Sequence, residues 1–326
     1  MPYSIAVILP HTKLFGGVRR FFELGKIFIA NGHTMTILTP DGIAPDWFDF
    51  AGTIDKVSNI QQYKFDLLFT TEPVFLNDLL KADSRLKVFY HVGPSARLDD
   101  ILKHKEIIVF SNSTNMYLHN KRTYNIETVK ALGGVHIPAT AKEITNKRPF
   151  VIMCYGRLSR KGKGTNIVVK AAEKLYRSGQ DVKLILFDTP LDEKGKEQIK
   201  SFTCAAPFEF VLNHPVDENE QLFKKADVFV AVERKGGWSN TAAEALAAGV
   251  PLVASNTGTN DFLIDGVTGI KVWRHSFFVK RAIEKLMNDI ELQKLLATNG
   301  REKMKTLSWD TLAKFILQFI KEKSSI

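Results

Sequence analysis

The chain has 326 residues, of which 44% are hydrophobic and 25% charged, and it carries a formal net charge of +10. That length and balance suit a soluble globular protein of about two domains. No run approaches the ~18 consecutive apolar residues of a spanning helix, the N-terminus lacks the basic region and cleavage site of a signal peptide, and two cysteines without ligand spacing build neither a disulfide framework nor a metal site, so a reducing cytoplasm is the expected compartment.

In chain order, strand-like and helix-like segments alternate. "YSIAVILP" reads as a first buried strand, followed by the amphipathic "GVRRFFELGKIFIANGH" and the strand "TMTILTP". "FDLLFTT", "LKVFYHV" and "EIIVFSN" are further apolar runs of strand length. After the polar stretch "ATAKEITNKRP" the pattern restarts with "FVIMCYG", a helix through "GTNIVVKAAEKLYRSG", then "VKLILFD", "FEFVLN", "ADVFVAV" and "PLVAS". Alternating β and α segments predict parallel sheets with helices on both faces. The restart near Phe150 predicts two such units, divided near 140–149.

In open parallel sheets, ligands bind beyond the carboxyl ends of the strands. Four loops follow strands there: "PHTKLFGGV", "HVGPSAR", "GRLSRKGKG" and "ERKGGWSNT". The third sets Arg157, Arg160, Lys161 and Lys163 among glycines; forked and mobile cations on a pliable backbone suit a diphosphate, though a solvated basic loop reads the same way. The Walker spacing is absent. Gly16 and Gly17 open the first helix without the remaining features of a dinucleotide fingerprint, so a tight turn stays open there. Arg19 and Arg20 lie in that helix's first turn, where the dipole disfavours cations, and an anionic partner would compensate. His91 ends a strand before a glycine-proline turn, a place for either a polar catalytic contact or a structural histidine.

The stretch "GGWSNTAAEALAAGVPLVAS" (236–255) reads as loop, helix, strand. Ser239, Asn240 and Thr241 are all good N-caps, and a helix start is an anion site. If Thr241 is the cap, Thr241-x-x-Glu244 is a capping box and Glu244 only secures its own helix.

Together these residues resemble the GT-B glycosyltransferases, and among them the retaining, nucleotide-sugar-dependent group called family 4. The resemblance covers nearly the whole chain: the glycine pair, Gly32-His33, "GRLSRKGKG", "LFDTPL" (186–191), the block 226–255, "DGVTGIKV" (265–272) and the late "LSWDTLAKFI". It implies an α/β fold of two Rossmann-like domains facing across a cleft: 1–145 on the acceptor side, 146–305 binding the nucleotide sugar, and a helix over 306–326 returning to the first domain.

The resemblance also implies roles. Arg157 and one lysine of the pair Lys161 and Lys163 hold the donor diphosphate, Lys163 being favoured by register. Glu244 matches the second acid of an E-x7-E motif and binds the ribose. Main-chain amides around Ser239, Asn240 and Thr241 face the diphosphate or sugar. Gly16 and Gly17 approach the donor from the first domain, and His91 lies near the transferred sugar. Gly236 stands where the first acid belongs, with Glu233 three residues upstream. The implied activity is metal-independent retaining transfer from a nucleoside diphosphate sugar, UDP- or GDP-linked, with no further cofactor. The acceptor is a glycan, a lipid-linked glycan or a small hydroxyl compound, and peripheral contact with the inner membrane face is open. A nucleotide-sugar-binding protein without catalysis is the alternative that Gly236 raises. A nucleic-acid acceptor is the alternative that the charge raises, but the first 140 residues carry only about +2 of it and no RNP, zinc-finger or helix-turn-helix signature is present.

Overall fold

In the computed structural model, which describes residues 2–190 and 192–324, the chain divides into two compact units: residues 1–134 with 307–326, and residues 135–306. Leu191, the last residue of "LFDTPL", lies outside the described residues. Residues 135–145, assigned above to the first domain, pack with the second unit: Lys142 Nζ pairs with Asp227 at 3.2 Å, and the Lys142 amide donates to the Ala248 carbonyl. A polar stretch without apolar period carries no sign of which body it joins.

The first unit is built on seven strands: β1 (Ser4–Ile8), β2 (Thr34–Thr39), β3 (Thr53–Lys56), β4 (Lys64–Thr70), β5 (Asp83–His91), β6 (Ile107–Ser111) and β7 (Val129–Lys130). They run parallel in the order β3-β2-β1-β4-β5-β6-β7. Because strand side chains alternate, Ile5 and Val7 face one core while Ala6 and Ile8 face another. Helix α1 (Gly16–Ala30) covers the first face with Val18, Phe21, Phe22 and Phe28. The helices α2 (Leu76–Lys81) and α3 (Thr114–Tyr124) follow β4 and β6.

The second unit repeats the plan with β8 (Phe150–Tyr155), β9 (Val182–Asp188), β10 (Phe208–Leu212), β11 (Val228–Ala231), β12 (Leu252–Ala254) and β13 (Ile270–Lys271), all parallel in the order β10-β9-β8-β11-β12-β13. Its helices are α4 (Thr165–Arg177), α5 (Glu193–Lys200), α6 (Asn219–Phe223), α7 (Asn240–Ala247), α8 (Ser276–Met287) and α9 (Ile290–Lys305). The last helix, α10 (Trp309–Ser324), belongs to the first unit, where Trp309, Leu312, Ile316, Phe319 and Ile320 join the core under α1.

Both sheets reverse strand order once, between their first and fourth strands. Connections from those two strands leave in opposite directions and open a crevice at the carboxyl edge, the usual ligand position of doubly wound sheets. In the second unit the crevice lies between β8 and β11, so its walls are the loops 156–164 and 232–239.

Candidate functional site

The first of those loops is shaped by Gly164, which has φ +82° and caps the start of α4. A Cβ there would collide with the Val232 carbonyl, so the glycine lets the two loops meet. They are then tied: the Arg234 amide donates to Gly162 O at 2.8 Å, and Lys163 Nζ donates to Glu233 Oε2 at 2.7 Å. A residue from a third segment completes the join. Arg274 Nε donates to Val232 O at 2.7 Å and its Nη2 to Lys161 O at 2.9 Å, so one guanidinium holds both loops.

The two favoured cations converge. Arg157 Cζ stands 5.1 Å and Lys163 Nζ 5.6 Å from the centroid of the Tyr155 ring, whose quadrupole favours both. Arg157 is oriented by buried Asp188: Nε donates to Oδ1 at 2.8 Å and Nη2 to the Thr189 carbonyl at 2.9 Å. Nη1 has no hydrogen-bond partner among the described residues. Burial and the nearby Asp188 carboxylate push the Tyr155 phenol well above its ordinary range, so it stays neutral. Lys161 is exposed and pairs with no carboxylate among the described residues, which leaves it as a mobile charge at the rim.

Helix α7 supplies the opposite wall. Its N-cap is Ser239, with Asn240 the first helical residue. Thr241 is therefore inside the first turn, and the capping box does not form; Glu244 Oε2 instead accepts from Asn219 Nδ2 at 3.1 Å. The Ser239 amide is spent on Gly258 O at 2.9 Å, which removes it from the amides expected to face a ligand. Asn240 and Thr241 precede the first helical bond, from Ala243 to the Ser239 carbonyl, and their amides form the positive end of the helix.

A second carboxylate, Glu233, stands close to position 236. Glu233 is buried, accepts from Ser239 Oγ at 3.0 Å, and places Oε2 3.4 Å from where a Gly236 Cβ would stand. The Glu233 carboxylate thus neighbours Gly236, with Lys163 beside it.

His91, Gly16 and Gly17 lie in the first unit, at the carboxyl edge of its sheet. Gly17 approaches Val92, the residue after His91, so the α1 start and the end of β5 are neighbours. His91 is fully buried. Asn120 Nδ2 donates to Ser111 Oγ at 3.0 Å, which leaves Oδ1 to accept from His91 Nδ1 at 2.8 Å. Nε2 then carries a lone pair and has no partner among the described residues, and the same holds for the buried atoms His11 Nδ1, after β1, and Asn112 Oδ1, after β6. Burial lowers the His91 pKa. Arg19 and Arg20 do not wait for an outside anion. Arg19 pairs with Glu23 at 3.0 Å; buried Arg20 donates to Tyr90 Oη at 3.0 Å and lies over the Tyr90 and Trp309 rings.

Asp188, Arg274 and Asn120 were missed by the sequence reading. Asp188 had a visible signal, an acid closing the apolar run "VKLILFD" at a strand's carboxyl end. Arg274 and Asn120 reach their partners across 42 and 29 residues and had none. Among the described residues no cluster of histidine, cysteine or acid side chains could hold a metal ion.

Two parallel doubly wound sheets, with cations and a helix start at the switch point of the second, define a protein of GT-B architecture. Solved structures of that architecture overlay nearly the whole chain. Sucrose-phosphate synthase of Thermosynechococcus elongatus does so with a TM-score of 0.78 at 16% identity, covering 99% of both chains. HepE of Anabaena, in complex with UDP and glucose, does so with a TM-score of 0.77 at 15% identity, covering 98% of this chain and all of its own. The chain belongs to the family Glycosyl transferases group 1, which it matches over residues 138–303. A curated relative is the capsular polysaccharide biosynthesis glycosyltransferase CapM of Staphylococcus aureus, 28% identical over 180 residues, which are 53% of this chain and 47% of CapM. The matched part spans about half the length of the curated relatives.

Proposed function

We infer that the protein transfers a sugar, with retention, from a nucleoside diphosphate sugar to an acceptor hydroxyl, as a family 4 enzyme of the cytoplasm that works without a metal. The observation that carries this reading is the meeting of Arg157, Lys163 and the α7 start at one switch point. As the bond from the anomeric carbon to the diphosphate breaks, negative charge grows on the leaving oxygens. Arg157 Nη1, Lys163 and the amides of Asn240 and Thr241 are placed to receive that charge, and Lys161 adds to it from the rim. Fixed donors aimed at developing charge are commonly the largest catalytic term. Glu244 binds the ribose hydroxyls. Glu233 takes the part of the first acid, accepting from sugar hydroxyls once Lys163 turns to phosphate.

HepE was crystallised with UDP and glucose, which supports a UDP-linked donor, with GDP the other candidate. On the first unit, His91 Nε2, His11 Nδ1 and Asn112 Oδ1, without partners among the described residues, suit a hydroxyl-rich acceptor, a glycan free or lipid-linked, while the Gly16–Gly17 turn, with Gly17 beside Val92, approaches the donor.

The test is Arg157→Ala, Lys163→Ala and Glu233→Gln, assayed for donor hydrolysis and transfer. Loss of either cation should cost on the order of 10²–10³ in rate; near-normal turnover in both cation variants would overturn the assignment. Saturable donor binding by the unaltered protein, with neither transfer nor hydrolysis on long incubation, would favour the binding-protein reading that Gly236 raises.

A further inference from the structure

Away from the candidate site, the second unit carries a groove of about 860 Å³ between β13, the segment after it, and α8. Its lip is aromatic. Trp273 is 78% exposed, Phe277 48% and Phe278 43%, three rings within six residues of chain that line the groove, Phe277 and Phe278 meeting edge to face at 5.4 Å. Contiguous exposed apolar surface of this kind marks an interaction site. The surround is cationic: Phe277, Arg281 and Lys285 form one helical stripe at i, i+4 and i+8, with Lys271 and Lys174 across the groove. Lys280 pairs with Glu284, the one acid of the lining. Arg281 also lies over the Phe277 ring, 5.9 Å from its centroid.

We propose that this face docks the protein on an anionic lipid surface. The rings stand out of the fold, and indole and phenyl groups of that kind settle at the boundary between headgroups and acyl chains. Flexible cations around them meet lipid phosphates, each worth enough to matter in sum near a charged bilayer. Charge disfavours a second copy, since a two-fold contact would set the cations of this face against themselves. An acidic peptide would find protruding rings rather than enclosed pockets for its side chains. No helix among the described residues is long and apolar enough to cross a membrane, so attachment at this face is interfacial. The surface does not depend on the transferase reading, and its test does not use turnover.

The experiment is sedimentation of the full chain with phosphatidylcholine vesicles, with and without about 30 mol % phosphatidylglycerol, over a salt series. Binding to the anionic vesicles alone, weakening with salt, is the expected result. Trp273→Ser with Phe277→Ser should lower the partition coefficient about tenfold or more, as should Arg281→Glu with Lys285→Glu. Lys194→Glu with Lys200→Glu on α5 makes the same change in net charge and should leave binding intact. These side chains are exposed, so folding is not at stake. No binding by the unaltered protein, equal binding by the aromatic pair, or an equal loss in the α5 control would each overturn the proposal. So would self-association at this face, detected as a concentration-dependent rise in mass that the aromatic variant abolishes.

Discussion

His91 shows how much one buried side chain commits. Its ring is held by Asn120 through Nδ1, with Nε2 unpartnered, and burial lowers its pKa below the ordinary ~6.5. Between the lowered folded value and the unfolded value, the unfolded chain binds more protons, so stability rises with pH across that window. The contribution is therefore complete above about pH 6.5 and is lost on acidification. Melting temperature should fall between about pH 7.5 and 5.5, and His91→Gln should flatten the curve; an unchanged slope in the variant would mean other groups carry it. At this scale the sequence showed the actors better than their partners. Arg157, Lys163 and His91 stood out beside glycines at strand ends. Asp188, Glu233 and Asn120, which hold them, are ordinary residues until the fold brings them across 31, 70 and 29 positions.

Among the elements, loops 156–164 and 232–239 owe their shape to Arg274, which sits on neither. Its fork reaches the carbonyls of Val232 and Lys161, and an ammonium cannot copy a planar fork. Arg274→Ala should raise the donor KM about tenfold, the size of one charge-assisted bond, with a smaller effect on kcat, and Arg274→Lys should recover little. Steady-state kinetics with a melting curve on each variant decide the point: loss of kcat at unchanged KM would place Arg274 in the chemistry instead. The long apolar strands and α7 were legible because buried parallel strands read as continuous hydrophobic runs and small residues mark a helix start. The edge strands β3 and β13 were not. "TIDK" is half exposed and polar, and "IK" is two residues long; neither carries a pattern that stands apart from a loop.

For the molecule as a whole, two sets of cores follow from two sheets. Ile5, Phe21 and Trp309 share one in the first unit, whereas Ile152, Val168 and Val230 share one in the second. Donor nucleotide should therefore stabilise the second unit ahead of the first, by about 2.7 kcal/mol at a hundredfold excess over Kd. Calorimetry with UDP and GDP, followed by peptide-resolved hydrogen exchange, checks this. Protection should gather in 155–166 and 232–244, and protection confined to the first unit would refute the donor assignment. The two-sheet plan was legible because the apolar pattern restarts at Phe150. The division at 134 was hidden in residues whose partners lie a hundred positions ahead.

The order in which the ribosome releases these parts follows from the place of α10. Residues 135–306 emerge as an uninterrupted block and can close their own core while still tethered. The first sheet, though begun earlier, lacks Trp309, Leu312, Ile316 and Ile320 until that intervening block has been made. Domain maturation during synthesis usually runs head to tail, but the first sheet completes the face it shares with α1 only when the α10 side chains join it.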